Sequence, residues 1–343
     1  MKNFPIFLRA CRREETEYTP VWIMRQAGRF LKDYRSLRRR YDFLTLCKTP
    51  DLATQVTLMP IERLGVDAAI IFADILLPLE PMGIDLEFSK GEGPVINNPP
   101  RSRPEVDALR CIEPDEDLAF VMEAIRAVCQ ELKGRIPLIG FAGAPFTLAS
   151  YLLEGGGTKN FIKTKSLMYQ DPSCWHLLME KLSEAIISYL NAQIRSGAEA
   201  VQVFDSWAGT LSPQDYREFV LPHSQKVFKK LPHAVPKIHF ATGTSGILEL
   251  MQEGGGDIIG IDWRIDLGEA WERLGSNVGI QGNLDPVTLF GPQERIEKAV
   301  GEILDKAKGR PGHIFNLGHG VLPKTPEANV ITMVEAVHRL SKR

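Results

Sequence analysis

Two arginines flank a run of small and polar residues in the segment MRQAGR: Arg25 and Arg29, separated by Gln26, Ala27 and Gly28. A guanidinium grips a carboxylate or phosphate through a planar fork of N–H donors, and small neighbours let the backbone approach the same ligand. The pair therefore points to an anionic substrate. The basic run continues through Lys32 and Arg35 to Arg38, Arg39 and Arg40, with Asp33 the single acid. The last three read as a solvated helix face. Asp74 directly follows the apolar stretch AAIIFA. A carboxylate there could stabilise a cationic intermediate or accept from N–H donors, or it could cap a following helix. The continuation ILLPLEP is a poor helix start, which leaves both readings standing.

Three further positions invite chemistry. In GFAGAPFTLASYLLEGGG, Gly143 and Pro145 set a sharp turn, and Thr147 is placed to cap a helix carrying Tyr151. The glycines at 155–157 precede Thr158 and Lys159 but lack the GxxxxGK[ST] spacing of a phosphate cradle. FDSWAG places Asp205 and Ser206 together. Ser206 has neither a GxSxG context nor an adjacent base, so it reads as a hydrogen-bonding group rather than a nucleophile. His319 lies between glycines in NLGHG, an unusual setting for a packed core histidine, and suits hydrogen bonding or proton transfer. No metal site is expected. HExxH is absent, and His239 is followed by Phe240 and Ala241 where a zinc-thiolate HxC element would have cysteine.

These residues need elements to position them. Short apolar or β-branched runs recur at 21–24, 68–72, 137–141, 200–204, 237–240, 257–261, 278–281 and 313–316. Amphipathic segments at 117–132, 175–195, 213–230, 293–308 and 327–340 carry apolar residues at three- and four-residue spacing. Eight strands alternating with helices predict an α/β fold, a single (β/α)8 TIM-type barrel spanning 1–343 as one catalytic domain. A dinucleotide-binding sheet would show GxGxxG after its first strand, where MRQAGR stands instead. A hairpin at 84–96, followed by NNPPRSRP, reads as a small insertion after the second strand. Barrel enzymes keep their chemistry where strands end. That rim would hold Arg25, Asp74, Gly143, Asp205, Ser206, residues 241–243, Asp262, residues 282–283 and 318–320.

Composition narrows the partners. A net charge of -2 gives no global reason to bind nucleic acid or an anionic membrane. The five cysteines are scattered, with no CxxC pair, which suits free thiols in a reducing compartment. The start lacks an apolar signal core, and the 68–72 run is too short to span a bilayer. A soluble, cytoplasmic protein is expected.

PVWIMRQAGRFL at 20–31 and GFAGAPFTLASY at 140–151 closely resemble the two signatures of the uroporphyrinogen decarboxylase family. IIFADIL, FDSWAG, QGNLDP and FNLGHG are similar to further family segments in family order, so the resemblance spans nearly the whole chain. It implies a homodimer with facing clefts, no metal or organic cofactor, and conversion of four acetate side chains of uroporphyrinogen III to methyl groups, giving coproporphyrinogen III for haem and chlorophyll synthesis. It further implies roles for matching residues. Asp74 would face the pyrrole N–H groups and stabilise a cationic ring. Arg25 and Arg29 would bind substrate carboxylates, one of them also delivering a proton. Gln26, Ala27 and Gly28 would complete that loop, partly through backbone groups. Tyr151, Ser206 and His319 would bind carboxylates or hold Asp74. Two rivals are a corrinoid-dependent methyltransferase of the same superfamily, which needs the HxC zinc element, and a tetrapyrrole-binding protein without catalysis.

Overall fold

The segment expected as the first strand is not a regular strand, and its hydrogen bonds explain why. The Val21 N–H goes to the Asp67 carboxylate (2.8 Å), the Ile23 N–H to Gln26 Oε1 (3.1 Å) and the Met24 N–H to Asn316 Oδ1 (3.2 Å). Side chains thus occupy positions that a neighbouring backbone would hold in a ladder. The segment nevertheless stands in the strand's place. Val21 makes a parallel bridge to Phe315, the Phe315 N–H donates to Pro20 O (2.8 Å), and the Asp67 N–H donates to Val21 O (2.8 Å).

The computed structural model describes residues 4–89 and 93–343. Its strands, in chain order, are β1 (Ala69–Ile70), β2 (Leu86–Ser89), β3 (Gly93–Ile96), β4 (Leu138–Gly143), β5 (Ala200–Asp205), β6 (Lys237–Ala241), β7 (Ile258–Gly260), β8 (Gly279–Gln281) and β9 (His313–Ile314). Seven of them form one parallel sheet in the order β1-β4-β5-β6-β7-β8-β9. The segment around Val21 bridges β9 back towards β1, so the sheet curls into a barrel with seven regular strands and one irregular stave. The α/β barrel read from the sequence is the fold; its eighth strand is the element that differs.

Strands buried on both faces carry near-continuous apolar sequence, as parallel strands covered by helices must. Phe141, Phe204 and Phe240 from three adjacent strands meet edge to face, with centroids 5.6 and 5.8 Å apart. A buried polar chain crosses from the irregular stave: the Trp22 indole N–H donates to Gln281 Oε1 (2.9 Å), and Gln281 Nε2 donates to Gln202 Oε1 (2.9 Å). The helices Pro172–Ser196, Gln293–Ala307 and Glu327–Leu340 cover the sheet near their expected positions. The expected 213–230 helix is two, Pro213–Phe219 and Leu221–Lys230. Pro222 has no N–H and its ring clashes with the carbonyl four residues earlier, so the chain breaks at Val220.

The hairpin insertion expected at 84–96 is β2 paired antiparallel with β3; of that stretch, residues 90–92 lie outside the described residues. It docks through Ile96, whose N–H donates to Gly155 O (3.0 Å), and through a bridge from Val95 to Gly156. The triple glycine at 155–157 therefore meets the insertion.

Candidate active site

Arg25 follows the irregular stave in a left-handed conformation, φ +62°. A non-glycine residue there stores about 1–3 kcal/mol and persists only where its surroundings impose it. Gln26 imposes it. Its side chain is fully buried, accepts from Ile23 N and donates through Nε2 to Ala68 O (3.1 Å), tying the loop to the chain entering β1. The Gln26 amide is thus spent on the loop's shape and is not open to a ligand. Arg25 itself is exposed, and among the described residues neither it nor Arg29 makes an ion pair with an acid. Arg29 lies exposed in the next loop, where its carbonyl accepts from Arg35 Nη1 (2.9 Å). Ala27 and Gly28 between them are part-exposed.

Asp74 stands just beyond β1. Its Oδ1 accepts from Leu76 N (2.9 Å), a local turn ahead of the short 3₁₀ segment Leu77–Leu79 rather than an α-helix cap. Although Asp74 is only partly hidden from solvent, burial dominates its titration. It pushes the carboxyl up to about 6 against the opposing pull of the Leu76 N–H and the Arg25 charge. Tyr151, on the helix Pro145–Glu154, is raised by burial and then by the Asp74 charge, with Arg25 acting the other way. The imidazole of His319 is lowered by burial and then by Arg25. Arg25, Asp74, Tyr151 and His319 therefore share one electrostatic neighbourhood at the carboxyl end of the barrel.

Two placements differ from expectation. Thr147 does not cap its helix, whose N-terminus has no side-chain cap. Its hydroxyl instead donates to Asp205 Oδ1 (3.0 Å) and receives the Trp207 N–H (3.4 Å). That clamp sets the loop after β5, and Trp207 packs its ring over Tyr151, centroids 4.0 Å apart. Trp207 is a site-shaping residue that motif reading passed over, although it stands inside a quoted motif, and Thr147 shapes the site through this clamp rather than through a helix cap. Ser206 is part-exposed on this loop, and its carbonyl accepts from Thr242 Oγ1 (2.6 Å). His239 turns outward against the helix Leu248–Gly254, its Nδ1 3.2 Å from Met251 O and 3.1 Å from Gly255 O. It is not at the rim, and among the described residues no three His, Cys, Asp or Glu side chains gather to hold a metal.

A parallel barrel with its polar side chains gathered where the strands end belongs to the β/α-barrel enzymes. A family model described as "Uroporphyrinogen decarboxylase (URO-D)" matches residues 3–340. The uroporphyrinogen decarboxylase of Carboxydothermus hydrogenoformans is 58% identical over 336 residues, 98% of this chain and 96% of that protein. That of Sorangium cellulosum is 53% identical over 337 residues, again 98% and 96%. A methyltransferase from Methanosarcina mazei superposes with a TM-score of 0.82 at 21% identity, covering 98% of this chain and 99% of its own, a likeness of fold. The chain belongs to the uroporphyrinogen decarboxylase family.

Proposed function

We propose that the whole 343-residue chain acts as one catalytic domain that decarboxylates the four acetate side chains of uroporphyrinogen III to methyl groups without a metal or organic cofactor. It is a carboxy-lyase of tetrapyrrole biosynthesis. The observation that carries the residue roles is Asp74, a carboxylate raised to about 6 yet feeling the charge of Arg25, which makes no ion pair with an acid among the described residues.

Losing carbon dioxide from an acetate leaves an electron pair on carbon, which needs a sink. Protonation of the pyrrole ring carbon next to the one bearing the acetate makes the ring cationic; C–C cleavage then delivers the pair to the ring as an exocyclic methylene on the acetate-bearing carbon. A proton added at the methylene and one lost from the ring carbon restore the pyrrole, so each acetate consumes one proton net. Asp74 supplies a fixed negative charge beside the N–H groups of the cationic ring, in a site where little water needs to reorganise. Arg25 and Arg29 bind peripheral carboxylates, with Ala27 and Gly28 giving close access to the backbone. Tyr151 on its Trp207 platform, Ser206 and His319 complete the wall. Above pH 6 Asp74 is ionised, the state this role requires.

The reading includes a homodimer. Trp263 after β7 and Val287 and Phe290 after β8 are large apolar side chains exposed at the ends of barrel strands, and light scattering should give twice the chain mass. Among the described residues no helix is long and apolar enough to cross a membrane; we place the enzyme in the cytoplasm, with neither membrane nor nucleic acid as a partner. Methyl transfer is disfavoured because His239 turns away from the rim and Ala241 replaces the thiolate. The test is anaerobic incubation of chelator-treated protein with uroporphyrinogen III. Seven-, six-, five- and four-carboxyl products without added cofactor support the reading. Unchanged eight-carboxyl material from folded protein overturns it.

A further inference from the structure

His319 sits between two glycines, and each has a distinct neighbour. A Cβ at Gly320 would stand 2.5 Å from Cδ of Arg25, and one at Gly318 would stand 2.7 Å from the Trp263 backbone nitrogen. Both are closer than a side chain can approach. The loop is therefore wedged between Arg25 on one flank and the segment that leaves β7 on the other.

That second segment is built to hold a cation. Asp262 is buried, accepting from Gly243 N (2.7 Å) through Oδ2 and from Arg264 N (3.0 Å) through Oδ1. Nη1 of Arg264 donates to the same carboxylate. The guanidinium lies 4.3 Å from the centroid of the Trp263 ring, and the side chain is 52% exposed. Among the described residues its other N–H groups have no partner. A guanidinium fixed by a buried acid and an aromatic face, with donors left over, loses little side-chain entropy when it takes a carboxylate. Arg264 also acts on the His319 imidazole, lowering it in the same direction as Arg25.

We propose that Arg264 is a substrate-binding residue, a second cationic arm across His319 from Arg25 that takes a peripheral carboxylate of the macrocycle. This rests on the decarboxylase reading and extends it. A ring with carboxylates around its whole edge needs cations on more than one side. Arg25 and Arg29 come from a single loop, whereas Arg264 comes from β7, separated from that stave by β8 and β9.

Arg264→Gln removes the charge while keeping a donor for Asp262. The KM for uroporphyrinogen should rise about tenfold with kcat within about twofold, as expected for one charge-assisted contact made equally in ground and transition states. Arg264→Lys should keep KM within about threefold of wild type. The pKa of His319, followed by NMR, should rise in the Gln variant and stay put in the Lys variant. Arg264→Met, which retains the contact with Trp263, substitutes for Gln should that variant fold poorly. Unchanged KM in an active Gln variant overturns the proposal. So do equal losses in the Gln and Lys variants, which would make the residue a scaffold, and so does a fall in kcat alone. A wild-type enzyme inert towards uroporphyrinogen is a different result, and it would defeat the decarboxylase reading itself.

Discussion

Asp74 and Asp205 both stand where a barrel strand ends, and burial raises both, to about 6 and about 7. Their surroundings separate them. Asp74 is partly open, feels the positive charge of Arg25 and imposes its own charge on Tyr151. Asp205 is wholly enclosed; one oxygen accepts from Thr147 and the other has no partner among the described residues. Its one charge neighbour of note is the buried Tyr216. On the proposed reading, the same residue type at equivalent ends of parallel strands serves the substrate in one case and the loop's shape in the other. What decides is the side of the barrel wall to which the carboxylate turns.

The contrast breaks most sharply under mutation. Asp74→Asn keeps an acceptor for the Leu76 N–H but removes the charge, so kcat should fall about 10²–10³-fold with the fold intact by circular dichroism. Near-normal turnover would take Asp74 out of the mechanism. Next in size, Arg25→Gln should lower kcat/KM about tenfold to a hundredfold, since it removes both a carboxylate contact and the cation that favours ionised Asp74. Tyr151→Phe, which keeps the stack on Trp207, should cost about tenfold in kcat/KM, the scale of one hydrogen bond to a charged group; steady-state kinetics would read both.

The smallest effect is expected at the other aspartate. Asp205→Asn can still accept from Thr147, so activity should stay within about threefold. A loss as large as that of the Asp74 variant would erase the distinction. Stability sharpens the same point. The folded-state pKa of Asp205 lies above its ordinary 3.8, so the folded form favours the proton. The associated stability is complete below about 3.8 and is lost as pH rises through about 7. Thermal melts of wild type should therefore decline relative to Asp205→Asn between about pH 4 and pH 7 and level off above it.

Much of this was legible in the residues. Apolar runs ending in polar residues or glycine located the seven regular strands and the rim, because parallel strands covered by helices carry continuous apolar sequence. The same continuity hid which way each side chain turns, so His239 and Asp205 could not be assigned to the outer wall from KIHFA or AVQVFD. The stave at 21–24 looked like a strand because its residues favour one. That Asp67, Gln26 and Asn316 would take its N–H groups is a long-range fact invisible to local pattern. Pro222 carries the helix break in its own chemistry, yet the apolar spacing across 213–230 read as one continuous helix. Arg25, Asp74, Tyr151 and His319 come from four distant segments, and the motifs marked each of them; Arg264 carried no motif, and only the packing of Gly318 against Trp263 brings it into view.

The most direct measurement of the central claim, that ionised Asp74 stabilises the cationic ring, is the pH dependence of kcat/KM for wild type beside His319→Gln. An acid limb with a midpoint near 6, where activity falls as Asp74 gains its proton and which persists in the His319 variant, is the predicted result. A profile flat through pH 6, or a limb that disappears with His319, would contradict it.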